Sequence, residues 1–191
     1  GRSGTPVASW LMNECDLILV FGASFSNHTG ITPKKPTIQV DFDQMALGRF
    51  HPVDLPVWGE IGITVGELLE GLPDKLEHED QEAELSERWR QWRDEKAARA
   101  ARSSDRGMSA AAVFAALSET VPADAVIPVD VGNNTYSFGR YFECRNQRVL
   151  MSGYLGSIGF AFPAAMGAWA ATQAVDEWHG RKVVSVSGDG G

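Results

Sequence analysis

The sequence predicts an α/β protein with two incomplete three-layer (αβα) domains, each built on a parallel sheet. Short apolar runs such as residues 17–21 alternate with helical patterns, and they lack the polar alternation of a sheet with one solvated face. The composition also changes at residue 74, where a charge-rich stretch begins. We therefore expect a first domain at 1–74, a charged helical linker at 75–107 and a second domain at 108–191.

The first domain is predicted to contain a helix, three strands and a second helix. Thr5 stands at the N-cap and Pro6 at the first helical position of a helix over 5–14. The apolar run at 17–21 is typical of a strand buried on both faces. Three strands are few for such a sheet, so we expect only part of a domain. The remaining predicted elements are strands at 37–40 and 55–58 and a helix at 61–72.

The linker is predicted to form a long surface helix over 82–102, because its acids and bases are mixed as on a solvated face. Trp89 and Trp92, three residues apart, are the one hint of a buried stripe on it. A second α/β pattern follows. It comprises helices at 108–121, 133–142 and 159–175 and strands within 125–132, 148–153 and 181–191.

Composition excludes several classes of function. The chain has 191 residues and a net charge of −8, which argues against a broad nucleic-acid-binding surface. The longest apolar stretch is interrupted by Pro163 and is too short to cross a membrane. Cys15 and Cys144 lie far apart without a CxxC partner, the pattern of reduced thiols in a cytoplasmic protein.

Three strand ends of the second domain carry unusual residues. They are VDVGNN (129–134), SGYLGSIG (152–159) and SGDGG (187–191). In an open parallel sheet, ligands bind outside the carboxyl ends of the strands. Because all three motifs follow strands, we expect them to form one shared site.

The SGDGG motif combines glycines with a single acid. Glycines let backbone N–H groups turn toward an anion, whereas Asp189 would repel a bare phosphate. A Mg²⁺ ion between the two resolves the conflict, since magnesium binds carboxylate and phosphate oxygens together. The alternative is a tight turn with a solvated aspartate.

The other two motifs have an interpretation as a ligand site and a simpler one. In SGYLGSIG, glycines let a flat ring approach the backbone between Leu155 and Ile158, or they serve only helix-entry packing. Asn133 and Asn134 stand at a predicted helix start, where amide groups favour a phosphate or form a simple N-cap.

Taken in order, VGNN, GYLGSIGFAFPAAMGA and VVSVSGDGG resemble the pyrophosphate-binding domain of thiamine-diphosphate-dependent enzymes of the acetolactate synthase, pyruvate oxidase and benzoylformate decarboxylase group. CDLILVFGASF, TIQVDFD and PVDLPVWGEIG resemble the second half of that group's central domain. The resemblance covers nearly the whole chain. It implies that 1–74 is the C-terminal half of a Rossmann-like (DHS-like) central domain and 108–191 the first part of the thiamine-diphosphate-binding domain.

The resemblance implies roles for particular residues. Asp189 matches the acid that binds Mg²⁺, and Gly190 and Gly191 match residues that contact the diphosphate. Gly156 matches the residue whose carbonyl meets the aminopyrimidine, and Ile158 matches the side chain that holds the cofactor bent. The candidate cofactor-binding residues are Gly132, Asn133, Asn134, Gly156, Ser157, Ile158, Gly188, Asp189, Gly190 and Gly191.

The resemblance further implies an enzyme that decarboxylates pyruvate or another 2-oxo acid, with carboligation or oxidation to follow, and a homo-oligomer. The activating glutamate lies in a domain that this chain lacks, and a second Mg²⁺ ligand follows the GDG motif. We therefore predict no catalytic residue in this chain, no turnover by the chain alone, and its self-association.

Several alternatives stay open. A non-catalytic nucleotide-binding or assembly module would keep the fold without the chemistry. FAD is bound by the central domain of some relatives, but half of that domain is absent here, so the sequence does not support FAD. Solvated or capping roles are expected for the histidines, which are His28, His51, His78 and His179.

Overall fold

A computed structural model describes residues 4–23, 29–74, 80–102, 107–153 and 155–191 of the chain. The chain divides into two compact units, Gly1–Arg90 and Gln91–Gly191. The division falls inside helix α3 (Glu82–Ala100). The domain boundaries that we infer from composition, at 74 and 107, stay predictions.

The first unit contains a three-stranded parallel sheet in which β2 is the central strand. Thr5 caps the first helix, because its hydroxyl accepts a hydrogen bond from the Ala8 N–H at 3.3 Å. Glu60 caps the second helix through the Ile63 N–H at 2.7 Å. The elements are α1 (Pro6–Glu14), β1 (Ile18–Phe21), β2 (Thr37–Asp41), β3 (Leu55–Trp58) and α2 (Ile61–Gly71).

The core of the first unit is thin. Val20 and Val40 are buried at the centre of the sheet, and Thr37 and Gln39 are buried beside them. Leu19, by contrast, is 48% exposed. The expectation that the first strand is buried on both faces is therefore wrong for this chain, because Leu19 and Val20 point to opposite faces of the sheet and only Val20 is buried.

The second unit is built around β4 (Val126–Val129), which pairs in parallel with β5 (Arg148–Met151). On its other side β4 bridges in parallel to Val183 and Val186, so the last strand-like segment also runs beside it. The helices are α4 (Ala110–Thr120), α5 (Asn133–Tyr141) and α6 (Ala161–Ala174). The carboxyl ends of these three chain segments consequently lie at one edge.

The core of the second unit surrounds β4, all of whose residues are buried. Phe138 stacks on Phe142 with ring centroids 4.6 Å apart and meets Phe114 edge-on at 5.8 Å. Ile127 and Val129 belong to the same apolar cluster. The site at the strand ends therefore rests on a well-packed base.

The second half of α3 is less solvated than its composition suggests. Trp92 is only 3% exposed and stacks on Tyr141 with ring centroids 5.8 Å apart. Lys96 is 7% exposed, and its Nζ lies 2.9 Å from a carboxylate oxygen of Glu143. The interpretation as a wholly solvated helix is wrong here, whereas the hint of a buried stripe is confirmed at Trp92. Among the described residues, no helix is both long and apolar enough to cross a membrane.

Candidate functional site

The three motif-bearing strand ends of the second unit meet at the side chain of Asp130. This residue follows β4 directly and is 1% exposed. Its Oδ1 atom accepts hydrogen bonds from the backbone N–H groups of Val131 at 2.7 Å and Gly159 at 2.9 Å. Its Oδ2 atom accepts one from the Ser187 hydroxyl at 3.1 Å. One carboxylate thus joins all three loops.

These hydrogen bonds keep Asp130 ionised. The Val131 N–H lowers the pKa of the Asp130 carboxyl most, and burial acts in the opposite direction. The N–H of Gly159 and the hydroxyl of Ser187 lower the pKa further, and the net result lies below the ordinary value. At neutral pH the site therefore has a fixed negative charge beneath its loops.

Helix α5 begins at the site through Gly132, which has φ 132° and ψ −160°. A side chain is strained in this conformation, so glycine is favoured at the position. The Asn134 amide nitrogen lies 3.4 Å from the carbonyl oxygen of Asp130 and 3.5 Å from that of Val186. Thr135 also donates its hydroxyl to the Asp130 carbonyl. The Asn134 side chain thus bridges two strand ends.

The GDGG segment forms a turn in which the Gly191 N–H donates to the Gly188 carbonyl at 3.3 Å. Asp189 is exposed at the tip of this turn. A Cβ atom on Gly191 would lie 2.2 Å from Asp130 Oδ2 and 2.4 Å from Ser187 Oγ, so no larger residue fits there unless these side chains move. The turn is thus packed against the buried carboxylate.

The loop after β5 brings apolar side chains to the same edge. Gly156 has φ +64°, and a Cβ on it would lie 3.6 Å from Val131. Ile158 is 64% exposed, and Leu155 is also exposed. A Cβ on Gly190 would lie 3.9 Å from Ile158 Cγ2, so this loop approaches the GDGG turn. Ser157 donates its N–H to the Ser152 hydroxyl at 3.2 Å.

The predicted site residues therefore lie together, although their roles in binding stay predictions. Sequence reasoning missed Asp130 and Ser187, which connect the loops. The available signal was the acid directly after an entirely apolar strand in VDVG. Such an acid is buried only if donors surround it, and those donors come from residues 29 and 57 positions away.

The donor set fits a phosphate-bearing ligand with a hard cation. Both Asp130 oxygens already accept hydrogen bonds, which leaves Asp189 as the exposed carboxylate of the site. Within the described residues, no group of three or more His, Cys, Asp or Glu side chains could hold a metal ion by itself. A single carboxylate suits Mg²⁺, which takes one or two carboxylates together with phosphate oxygens and waters.

The strand ends of the first unit, where a nucleotide was considered, are organised differently. Asp41 accepts from the Asp43 N–H at 2.8 Å, and Asp43 accepts from the Met45 N–H at 2.9 Å. These carboxylates order their own loop. Residues 24–28 of the facing loop lie outside the described residues. The expectation that FAD is possible but not supported therefore stays a prediction.

The remaining candidates are the histidines and cysteines. His51 is 8% exposed, so of its two expected roles, solvated or capping, only the capping role is compatible with its burial, whereas His179 is exposed. His28 and His78 lie outside the described residues. Cys15 and Cys144 form no disulfide, and burial raises the pKa of the Cys144 thiol.

The fold and site define an α/β protein whose glycine-rich strand ends meet at one edge of a parallel sheet. Residues 1–68 match the model of the thiamine pyrophosphate enzyme central domain. Residues 130–191 match that of the thiamine pyrophosphate enzyme C-terminal TPP binding domain. The chain belongs to the thiamine pyrophosphate (thiamine diphosphate) enzyme family.

Individual relatives agree with these matches. The chain is 31% identical over its whole length to a putative thiamine pyrophosphate-containing protein, YdaP, of Bacillus subtilis, of which it covers 32%. It is 30% identical to a probable acetolactate synthase large subunit of Methanocaldococcus jannaschii and covers 33% of it. It is 27% identical to the acetolactate synthase isozyme 3 large subunit of Escherichia coli and again covers 33%. The chain thus spans about a third of the length of these relatives.

Proposed function

We propose that this chain is part of a thiamine-diphosphate- and Mg²⁺-dependent enzyme that acts on pyruvate or another 2-oxo acid, in the manner of acetolactate synthase. The observation that carries the proposal is the meeting of three glycine-rich strand ends around Asp130, within the segment that matches a TPP binding domain. Relatives named acetolactate synthase support this choice of reaction over other chemistries of the family.

In this proposal Asp189 binds the Mg²⁺ ion of the bound cofactor. Its exposure at the tip of the turn leaves its oxygens available. The backbone of Gly188, Gly190 and Gly191 contacts the diphosphate, because residues without side chains let phosphate oxygens approach closely. Asn133 and Asn134, with Gly132, supply the start of α5, whose N-terminal end favours negative charge.

The loop after β5 orients the organic part of the cofactor. The Gly156 carbonyl would accept a hydrogen bond from the exocyclic amino group of the aminopyrimidine, and Ser157 is the next residue of the same loop. The Ile158 side chain is exposed and apolar, as required to support a bent cofactor from below. By holding the cofactor in this form, Ile158 would favour its activation, since proximity accelerates proton removal.

The bound thiamine diphosphate supplies the nucleophilic carbon and the electron sink for decarboxylation of a 2-oxo acid. The residues of this chain bind and orient it, and we assign no catalytic residue among them. The remainder of the active site comes from another domain, in a homo-oligomer that acts in the cytoplasm. The alternative of a non-catalytic nucleotide-binding module has no observation in its favour, since both family matches are to thiamine pyrophosphate enzymes.

Calorimetric titration of the full-length protein with thiamine diphosphate and Mg²⁺ tests the proposal. We expect Asp189→Ala to weaken magnesium-dependent binding roughly tenfold or more, because it removes an anionic ligand from the ion. Asp176→Ala, which alters another exposed aspartate of the second unit, is the matched control. Equal affinities of wild type and Asp189→Ala would remove Asp189 from the site, and no binding by the wild type would refute the function.

A further inference from the structure

We propose that Asp130 is the positioning residue of this site, and that its hydrogen bonds hold the three cofactor-binding loops in their mutual arrangement. The inference rests on the proposed function. It adds a residue that touches neither the cofactor nor the metal ion and acts only through the loops that do.

The carboxylate of Asp130 accepts hydrogen bonds from residues adjacent in sequence to the proposed cofactor contacts. Gly159, which donates to Oδ1, is the next residue after Ile158. Ser187, which donates to Oδ2, is the residue before Gly188. A displacement of this side chain therefore shifts both loops at the positions where they contact the ligand.

The backbone of Asp130 holds the same arrangement. Its N–H donates to the Val186 carbonyl at 2.8 Å, which fixes the strand that leads into the GDGG turn. Its carbonyl accepts from the Thr135 hydroxyl and, at 3.4 Å, from the Asn134 amide. The start of α5 is thus tied to the same residue.

The packing around Asp130 leaves it no room to bind a ligand itself. Oδ1 and Oδ2 both have donors, and the side chain is 1% exposed. The Gly191 backbone also lies over the carboxylate, as the 2.2 Å distance from a hypothetical Gly191 Cβ shows. Asp130 is therefore a support beneath the turn, and Asp189 remains the residue that faces the ion.

Two substitutions separate the hydrogen bonds from the charge. In Asp130→Asn the amide oxygen still accepts from Val131 and Gly159, and the amide nitrogen donates to Ser187, whose hydroxyl also lies 3.3 Å from the Gly188 carbonyl. Asp130→Ala removes both carboxylate oxygens and leaves the partly buried N–H groups of Val131 and Gly159 without this acceptor. The asparagine variant should therefore keep most of the loop order and cofactor affinity that the alanine variant loses.

The experiment measures two properties of the full-length protein. The first is hydrogen exchange of residues 156–160 and 187–191 without cofactor, and the second is calorimetric affinity for thiamine diphosphate with Mg²⁺. We expect Asp130→Ala to speed exchange in both loops and to weaken affinity by about tenfold or more. We expect Asp130→Asn to stay within about threefold of wild type in affinity, because it keeps the hydrogen bonds.

Ser187→Ala keeps the inference testable if Asp130→Ala does not fold. Ser187 is exposed, and the substitution removes the hydrogen bonds of its hydroxyl to Asp130 Oδ2 and to the Gly188 carbonyl, both at the GDGG turn. We expect a severalfold rise in the Mg²⁺ concentration required for binding, with an unchanged thermal midpoint. A merely structural role would change the midpoint and leave the Mg²⁺ requirement alone.

The outcomes distinguish this inference from the proposed function. Wild-type exchange rates in both loops of folded Asp130→Ala would overturn the inference, as would an unchanged Mg²⁺ requirement in Ser187→Ala. Absence of cofactor binding by the wild type would overturn the proposed function. In that case the exchange data alone would still decide whether Asp130 holds the loops.

Discussion

Asp41 and Asp130 occupy equivalent places in the two units but accept hydrogen bonds from different parts of the chain. Each follows a valine at the carboxyl end of the middle strand of a parallel arrangement. Asp41 is half-buried and accepts from the N–H of Asp43, two residues away. Asp130 is almost fully buried and accepts from donors as far as 57 positions away. The first orders its own loop, and the second joins three.

The difference shows how a strand-end acid can serve a site without facing a ligand. A carboxylate that accepts hydrogen bonds only from its own loop leaves neighbouring loops independent of each other. A buried carboxylate with donors from several loops makes their positions interdependent, because moving one loop leaves a buried charge short of a partner. A cofactor held by several strand ends needs the second arrangement.

The largest expected effect separates these two aspartates. In Asp130→Ala we expect hydrogen exchange around 126–135 and 156–160 to rise on the order of a hundredfold, because the partly buried N–H groups of Val131 and Gly159 lose their acceptor. In Asp41→Ala the rise around 41–46 should stay below about tenfold, because only the local hydrogen bond from the Asp43 N–H is lost and water can replace it. Peptide-resolved exchange of the full-length protein measures both units separately. Comparable effects of the two substitutions would end the distinction.

Much of this arrangement is predictable from sequence. The apolar runs predict the strands, and Thr5 before Pro6 predicts the start of α1, which its hydroxyl caps as expected. The rule that ligands bind at strand ends brings the three motifs together before any coordinates are known. These signals are local or follow from topology, so a single sequence contains them.

The remainder depends on contacts between distant residues. VDFD and VDVG are similar segments. Neither indicates whether its aspartate accepts hydrogen bonds from its own loop or from a distant residue such as Ser187. The burial of Trp92 depends on Tyr141, and that of Lys96 on Glu143. Conversely, the exposure of Leu19 shows that an apolar run predicts a strand but not what covers it.

A smaller effect is expected from Gly191, which lies over Asp130. In Gly191→Ala the new methyl group would meet the carboxylate at 2.2 Å, and we expect a destabilisation of about 1–3 kcal/mol from overpacking. Gly190→Ala is the matched control, since its methyl group would lie 3.9 Å from Ile158 in ordinary contact. Urea unfolding of the full-length variants, monitored by hydrogen exchange in the second unit, measures the difference in stability between them. Equal stability of both variants would mean that the turn does not rest on Asp130.

The smallest effect extends the contrast between local and long-range carboxylates to Glu60 and Glu143. Burial raises the pKa of Glu143, but Lys96 and Arg93 outweigh it and lower the pKa overall. Its contribution to stability is therefore present at neutral pH and lost as pH falls through the lowered pKa. Because the side chain is 35% exposed, we expect Glu143→Gln to remove no more than about 1 kcal/mol of this acid dependence.

Glu60 is the matched comparison in the first unit. The N–H groups of Ile63 and Gly62 lower its pKa, so its contribution to stability has the same sign and is also lost in acid. Since Glu60 is exposed and caps only its own helix, Glu60→Gln should flatten the acid limb of the stability profile less than Glu143→Gln does. Denaturation of each full-length variant between about pH 3 and 7, the range in which carboxylates titrate, measures both slopes. A larger change of the acid slope in Glu60→Gln than in Glu143→Gln would contradict this prediction. It would mean that the local carboxylate contributes more to acid dependence than the long-range one.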